Sequence, residues 1–109
     1  MLVEFSVIPL SGKTTIAEDI AGVIKIVEQS GLPFCLTPAG TCIEGEWDPV
    51  MKVIRECHEF IRARAPHAVT SLTIEDEQGV HDKLTSNILS VERHLGHQAR
   101  AKAGLVLPD

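Results

Sequence analysis

Apolar and polar residues alternate at the start of the chain. Val3, Phe5 and Val7 share one side, and Glu4, Ser6 and Ile8 the other. That period of two predicts a strand over residues 2–9 with one strongly apolar face, ended by Pro9. The period then lengthens to that of a helix. Ile16, Ile20, Val23, Ile24 and Val27 fall on one face over residues 16–30. Gly31 stops this helix and Pro33 prevents its continuation, while Thr15 and Glu18 have capping-box spacing. Gly22, inside the helix, reads as a close-packing position.

Two short strands, 33–37 and 41–46, flank a Pro/Gly turn. Pro38 cannot take the positive φ of a primed hairpin turn, so a wider turn or a bulge is expected around Gly40. Pairing about that turn sets Cys35 opposite Cys42, which reads as two small buried thiols rather than a redox pair. Asp48 is expected to cap a second helix, with Pro49 at its first position. Val50, Ile54, Cys57, His58 and Ile61 form its inner stripe, and Pro66 ends it. His58 reads as a histidine at the core edge with its nitrogens satisfied. Residues 68–76 make a fourth strand with two half-polar faces. After the turn Glu77-Gln78-Gly79, Leu84, Ile88, Val91 and Leu95 mark a third helix from Lys83 to Leu95, stopped by Gly96.

The order is that of a split βαβ arrangement. The expected fold is therefore α+β: a ferredoxin-like βαββαβ antiparallel sheet with an additional C-terminal helix, spanning residues 1–96. Residues 97–109 read as a flexible tail or an arm that orders against another subunit. Two helices cover one sheet face. The bare face carries apolar residues among its hydroxyls, so oligomerisation through the sheet or its edges is expected.

Composition narrows the function. A chain of 109 residues fits one domain, and its hydrophobic fraction of 44% supports a real core. The mean hydropathy of +0.12 adds to the expectation of surface buried between subunits. A net charge of −5 argues against nucleic-acid or anionic-membrane partners, which require a basic surface. Three cysteines without paired spacing are not a disulfide framework. No signal peptide and no apolar run of membrane-spanning length are read, so a cytoplasmic location is expected.

The chemistry concentrates in one stretch. Leu36-Thr37-Pro38-Ala39-Gly40-Thr41-Cys42-Ile43-Glu44-Gly45 crowds apolar, hydroxyl and carboxylate groups together, with glycines that allow close backbone approach. Ser11-Gly12-Lys13-Thr14-Thr15 shares the end of a phosphate-binding loop, but the first glycine of that motif falls at Val7. This segment is read as a loop and helix cap. His58, His67, His81, His94 and His97 are scattered without metal-ligand spacing, and no nucleophile–base set has local context. No catalytic residue, metal site or cofactor is expected.

The chain also resembles a known family. Phe5-Ser6-Val7-Ile8-Pro9-Leu10, then Leu36-Thr37-Pro38-x-Gly40-Thr41 with Ile43-Glu44-Gly45, and Ser90-Val91-Glu92-Arg93-x-Leu95 are together similar to the small thiamine-binding (YkoF-like) family. The resemblance covers residues 1–96. It implies a ferredoxin-like subunit assembled into homodimers or homotetramers, binding thiamine or its hydroxymethylpyrimidine part without catalysis. Three features depart from it: the acidic and neutral loop 75–81, Lys13 after the first strand, and the added tail. Thiamine carries a cationic thiazolium and an aminopyrimidine. Such a ligand requires an apolar slot, a carboxylate or hydroxyl for the amino group, and no nearby cation. The expected ligand-binding residues are Ser6, Thr37, Gly40, Thr41 and Glu44, with Glu4 and an aromatic face from Trp47 as further candidates. A different class also fits these residues: a small-molecule-sensing regulatory or interaction subunit without thiamine specificity.

Overall fold

The computed structural model of the chain describes residues 1–12 and 16–99. Strand β1 (Leu2–Pro9) leads to helix α1 (Ala17–Ser30), the hairpin β2 (Phe34–Thr37) and β3 (Gly40–Glu44), helix α2 (Trp47–Arg64), strand β4 (Ala68–Glu75) and helix α3 (Lys83–Leu95). The sheet order is β2-β3-β1-β4, with every neighbouring pair antiparallel. This is the ferredoxin-like arrangement with an added helix. The expected capping box at Thr15, the end of the Gly12-Lys13-Thr14-Thr15 loop and the tail from residue 100 lie outside the described residues.

Register sorts the side chains onto two faces. Val3 pairs with Ile43 and Ile74, and Phe5 with Thr41 and Leu72, so these residues share the face under α1 and α2. Glu4 pairs with Cys42 and Thr73, and Leu2 with Glu44 and Glu75, so these project from the open face. The core lies on the helix side. Val3, Phe5, Val7 and Ile43 meet Val23 and Val27 of α1 and Val50, Val53, Ile54, Cys57 and Ile61 of α2. A β-carbon on Gly22 would run into the Phe60 ring, which identifies this glycine as the close contact between the two helices. Asp19 of α1 is buried and accepts a 2.8 Å hydrogen bond from Arg64 Nε at the end of α2. The Arg64 guanidinium also stacks 5.2 Å from the Phe60 ring centroid.

Three expectations are corrected. Helix α2 starts at Trp47, with Glu46 in the cap position and no side-chain capping bond. Asp48 and Pro49 therefore sit within the first turn, where backbone N–H groups have no partner inside the helix and proline loses nothing. Around Gly40 there is neither a bulge nor a wide turn, because Thr37 pairs directly with Gly40 across Pro38-Ala39. Thr37 Oγ1 accepts from the Ala39 and Gly40 amides at 3.2 and 3.1 Å and donates to the Gly40 carbonyl at 2.9 Å. The side chain replaces the backbone geometry that Pro38 cannot supply. Cys35 and Cys42 do oppose each other, but Cys35 is exposed and Cys42 half-buried, because both project from the open face. Trp47, the candidate aromatic face, is 55% exposed.

Candidate functional site

A groove of about 890 Å³ lies between α1 and the β1–β2–β3 part of the sheet. That volume lies within the usual range for small-molecule sites. It exists because α1 packs against α2 and reaches β2 only in part, so that this edge strand stays partly uncovered. Val23 and Val27 of α1 are buried, while Ile20 and Ile24 are only half-buried. Opposite them, Leu36 on β2 is 55% exposed although it faces the helix side. Phe5, Val7, Ile20, Ile24, Leu36 and Pro38 give the groove its apolar walls.

Four of the five residues expected to bind a ligand border this groove: Ser6, Thr37, Gly40 and Thr41. They do not enter it equally. Thr41 alternates to the helix side and is 5% exposed, while Ser6 and Thr37 alternate to the open face. The Thr37 hydroxyl is committed to the hairpin turn. Gly40 packs tightly: a β-carbon there would come within 3.0 Å of the Phe5 carbonyl oxygen. The bare backbone lets β3 follow β1 closely at the groove wall.

Glu44 lies elsewhere. It is 5% exposed, and its oxygens accept from the Lys83 amide at 2.7 Å and the Leu84 amide at 3.2 Å. It caps α3 from a distant strand, because the N-terminal amides of a helix have no partner within it. Asp82, at the cap position, makes no side-chain capping bond itself. Glu75 accepts from Asn87 Nδ2 at 3.1 Å, and Lys83 pairs with Glu77 at 2.6 Å, so acidic groups hold the start of α3 at several points.

On the open face, Glu4, Ser6, Ser71 and Thr73 line a shallow cleft of about 100 Å³ beside Ala39. It gathers hydroxyls and a carboxylate but lacks the volume of the groove. His58 Nδ1 lies 2.6 Å from Thr70 Oγ1, which gives one ring nitrogen of this core-edge histidine its expected partner. Burial pushes the Cys57 thiol up to about 12, with Glu56 adding to the shift, so this cysteine is packed as a thiol. Burial also raises Cys42, with contributions from Glu4 and Cys35. Among the described residues, no helix is long and apolar enough to cross a membrane.

The sequence reading missed the α1 wall. Ile20 and Ile24 were assigned to the core by periodicity. Glu28 continues their line at i+4 and i+8 and borders the groove. Its position in a helix's last turn is the signal that marks it, since a carboxylate there opposes the macrodipole.

The fold and groove define a small ferredoxin-like domain with an apolar cleft beside its edge hairpin. The chain belongs to the thiamine-binding protein family, whose model matches residues 3–92. It is 36% identical over 96 residues to UPF0045 protein Mb1933 of Mycobacterium bovis, covering 87% of this chain and 94% of that protein. Protein MJ1052 of Methanocaldococcus jannaschii shares the fold with a TM-score of 0.77 at 21% identity, over 83% of this chain and 93% of that one. TM0486 of Thermotoga maritima, described as a candidate thiamine biosynthesis/salvage protein, superposes with a TM-score of 0.69 at 23% identity, over 79% and 95% of the two chains.

Proposed function

We propose that this protein is a non-catalytic, cytoplasmic binder of thiamine or its hydroxymethylpyrimidine half, and that it works as a homodimer or homotetramer. The groove of about 890 Å³ carries this reading, because an apolar slot bounded by the Thr41 hydroxyl and close backbone suits a flat aminopyrimidine. Membership of a thiamine-binding family supports the choice of ligand. Assembly draws support from α3, on which Ile88, Val91 and Leu95 are each at least half exposed. The test is calorimetric titration with thiamine and with hydroxymethylpyrimidine, alongside light scattering for subunit number. Saturable heat with a fixed stoichiometry per subunit is expected. No heat from either ligand at two temperatures would overturn thiamine binding. The exposed face of α3 would then favour a regulatory or interaction subunit.

A further inference from the structure

The groove has a charge polarity along its length. Glu28 is the one ionisable side chain among its described lining residues, and no described lysine, arginine or histidine borders it. Its place on α1 is unfavourable for the helix. The last turn of α1 has no basic residue, and a carboxylate there adds to the negative end of the helix dipole. Glu28 is exposed and has no ion-pair partner among the described residues, and Lys25, one turn earlier, makes none with it. A local rule broken without compensation in the fold points to a role outside the fold.

We infer that the Glu28 end of the groove receives the positive charge of a cationic aromatic heterocycle, and that Glu28 sets the preference for cationic over neutral ligands. This inference rests on the ligand reading above and adds the charge selectivity of the same site. Two negative sources act together there, the carboxylate and the outward carbonyls of the helix end. The apolar walls lower the local dielectric on one side and strengthen the attraction. The remaining described lining, Pro38, Ala39 and Thr41 included, carries no ionisable side chain and takes the neutral ring.

The test compares wild type with Glu28→Gln in titrations with four probes: thiamine, hydroxymethylpyrimidine, N-benzylthiazolium, and uncharged benzylthiazole. The titrations are run at pH 8, low salt and again at high salt. Glu28→Gln is expected to weaken both cationic probes by roughly threefold to tenfold, to change both neutral ones less than about twofold, and to lose that difference in high salt. Thermal unfolding reports the other side, since the variant should be as stable as wild type or slightly more so. Binding of thiamine and hydroxymethylpyrimidine with no charge-selective loss in the variant would overturn the inference and leave the ligand reading standing. Charge-selective binding of the benzyl pair, with neither thiamine nor hydroxymethylpyrimidine bound, would overturn the ligand reading and support the inference. Binding of none of the four would overturn both.

Discussion

Helices α2 and α3 carry similar apolar stripes and occupy opposite environments. α2 buries Val50, Val53, Ile54, Cys57 and Ile61 against the sheet. α3 buries none of its residues, and Ile88, Leu89, Val91 and Leu95 are 46–57% exposed. The first helix is held by its apolar face. The second is held at its start by carboxylates, chiefly Glu44. An amphipathic pattern thus states that a helix has an apolar neighbour, and leaves open whether that neighbour belongs to the same chain.

The comparison can be broken most directly by truncating each stripe. Ile61→Ala should cost about 2–5 kcal/mol in denaturant unfolding, because it opens a cavity under α2. Ile88→Ala should cost less than about 0.5 kcal/mol in the isolated subunit. If α3 covers a second copy, Ile88→Ala will instead shift the subunit dissociation midpoint by light scattering. Equal losses from the two variants in a monomeric sample would end the contrast.

A smaller effect tests how α3 is held. Glu44→Gln should cost about 1–3 kcal/mol, since the side-chain amide can accept through its single oxygen and sets an N–H against a helix amide. Hydrogen exchange at residues 83–95 should accelerate while the α2 amides keep their protection. Unchanged exchange along α3 would show that Glu44 does not anchor it.

The smallest effect in energy is chemical. Cys57 lies on the buried face of α2 with its thiol pushed up to about 12, and Cys35 lies exposed on the open face. A thiol reagent at pH 8 should label Cys35 within the mixing phase and Cys57 only as fast as the core opens. Because burial raises the Cys57 value from 9.0 to about 12, its protection should be full below about pH 9, where both states hold the proton, and should fall progressively as pH rises from 9 towards 12 and the opened state ionises first. Labelling of Cys57 as fast as Cys35 would place α2 in the loosely held class with α3.

Much of this fold is legible locally. The alternation of Val3, Phe5 and Val7, the stripe of α1 and the stops at Gly31 and Gly96 all emerge where periodicity and turn chemistry place them. What was not legible depends on partners distant in sequence. Glu44 reads as a strand carboxylate until Lys83 and Leu84 arrive some forty residues later to bond it. The turn at Pro38-Ala39 misled because a threonine side chain performs the work assigned to backbone torsions. The groove was half legible. Its hairpin rim was identified, but its α1 wall depends on how far the helix stands from an edge strand, and periodicity does not report that distance.

The remote cap on α3 bears on the order in which the chain assembles. A helix of 13 residues is marginal in water by itself, and this one lacks a side-chain capping bond from its own cap residue. Its two leading amides find their acceptor only after β3 has been set beside β1. Helix α3 follows all four strands in the chain and is thus templated by a finished sheet, and its apolar stripe becomes ordered only when the surface it can offer to another molecule is complete.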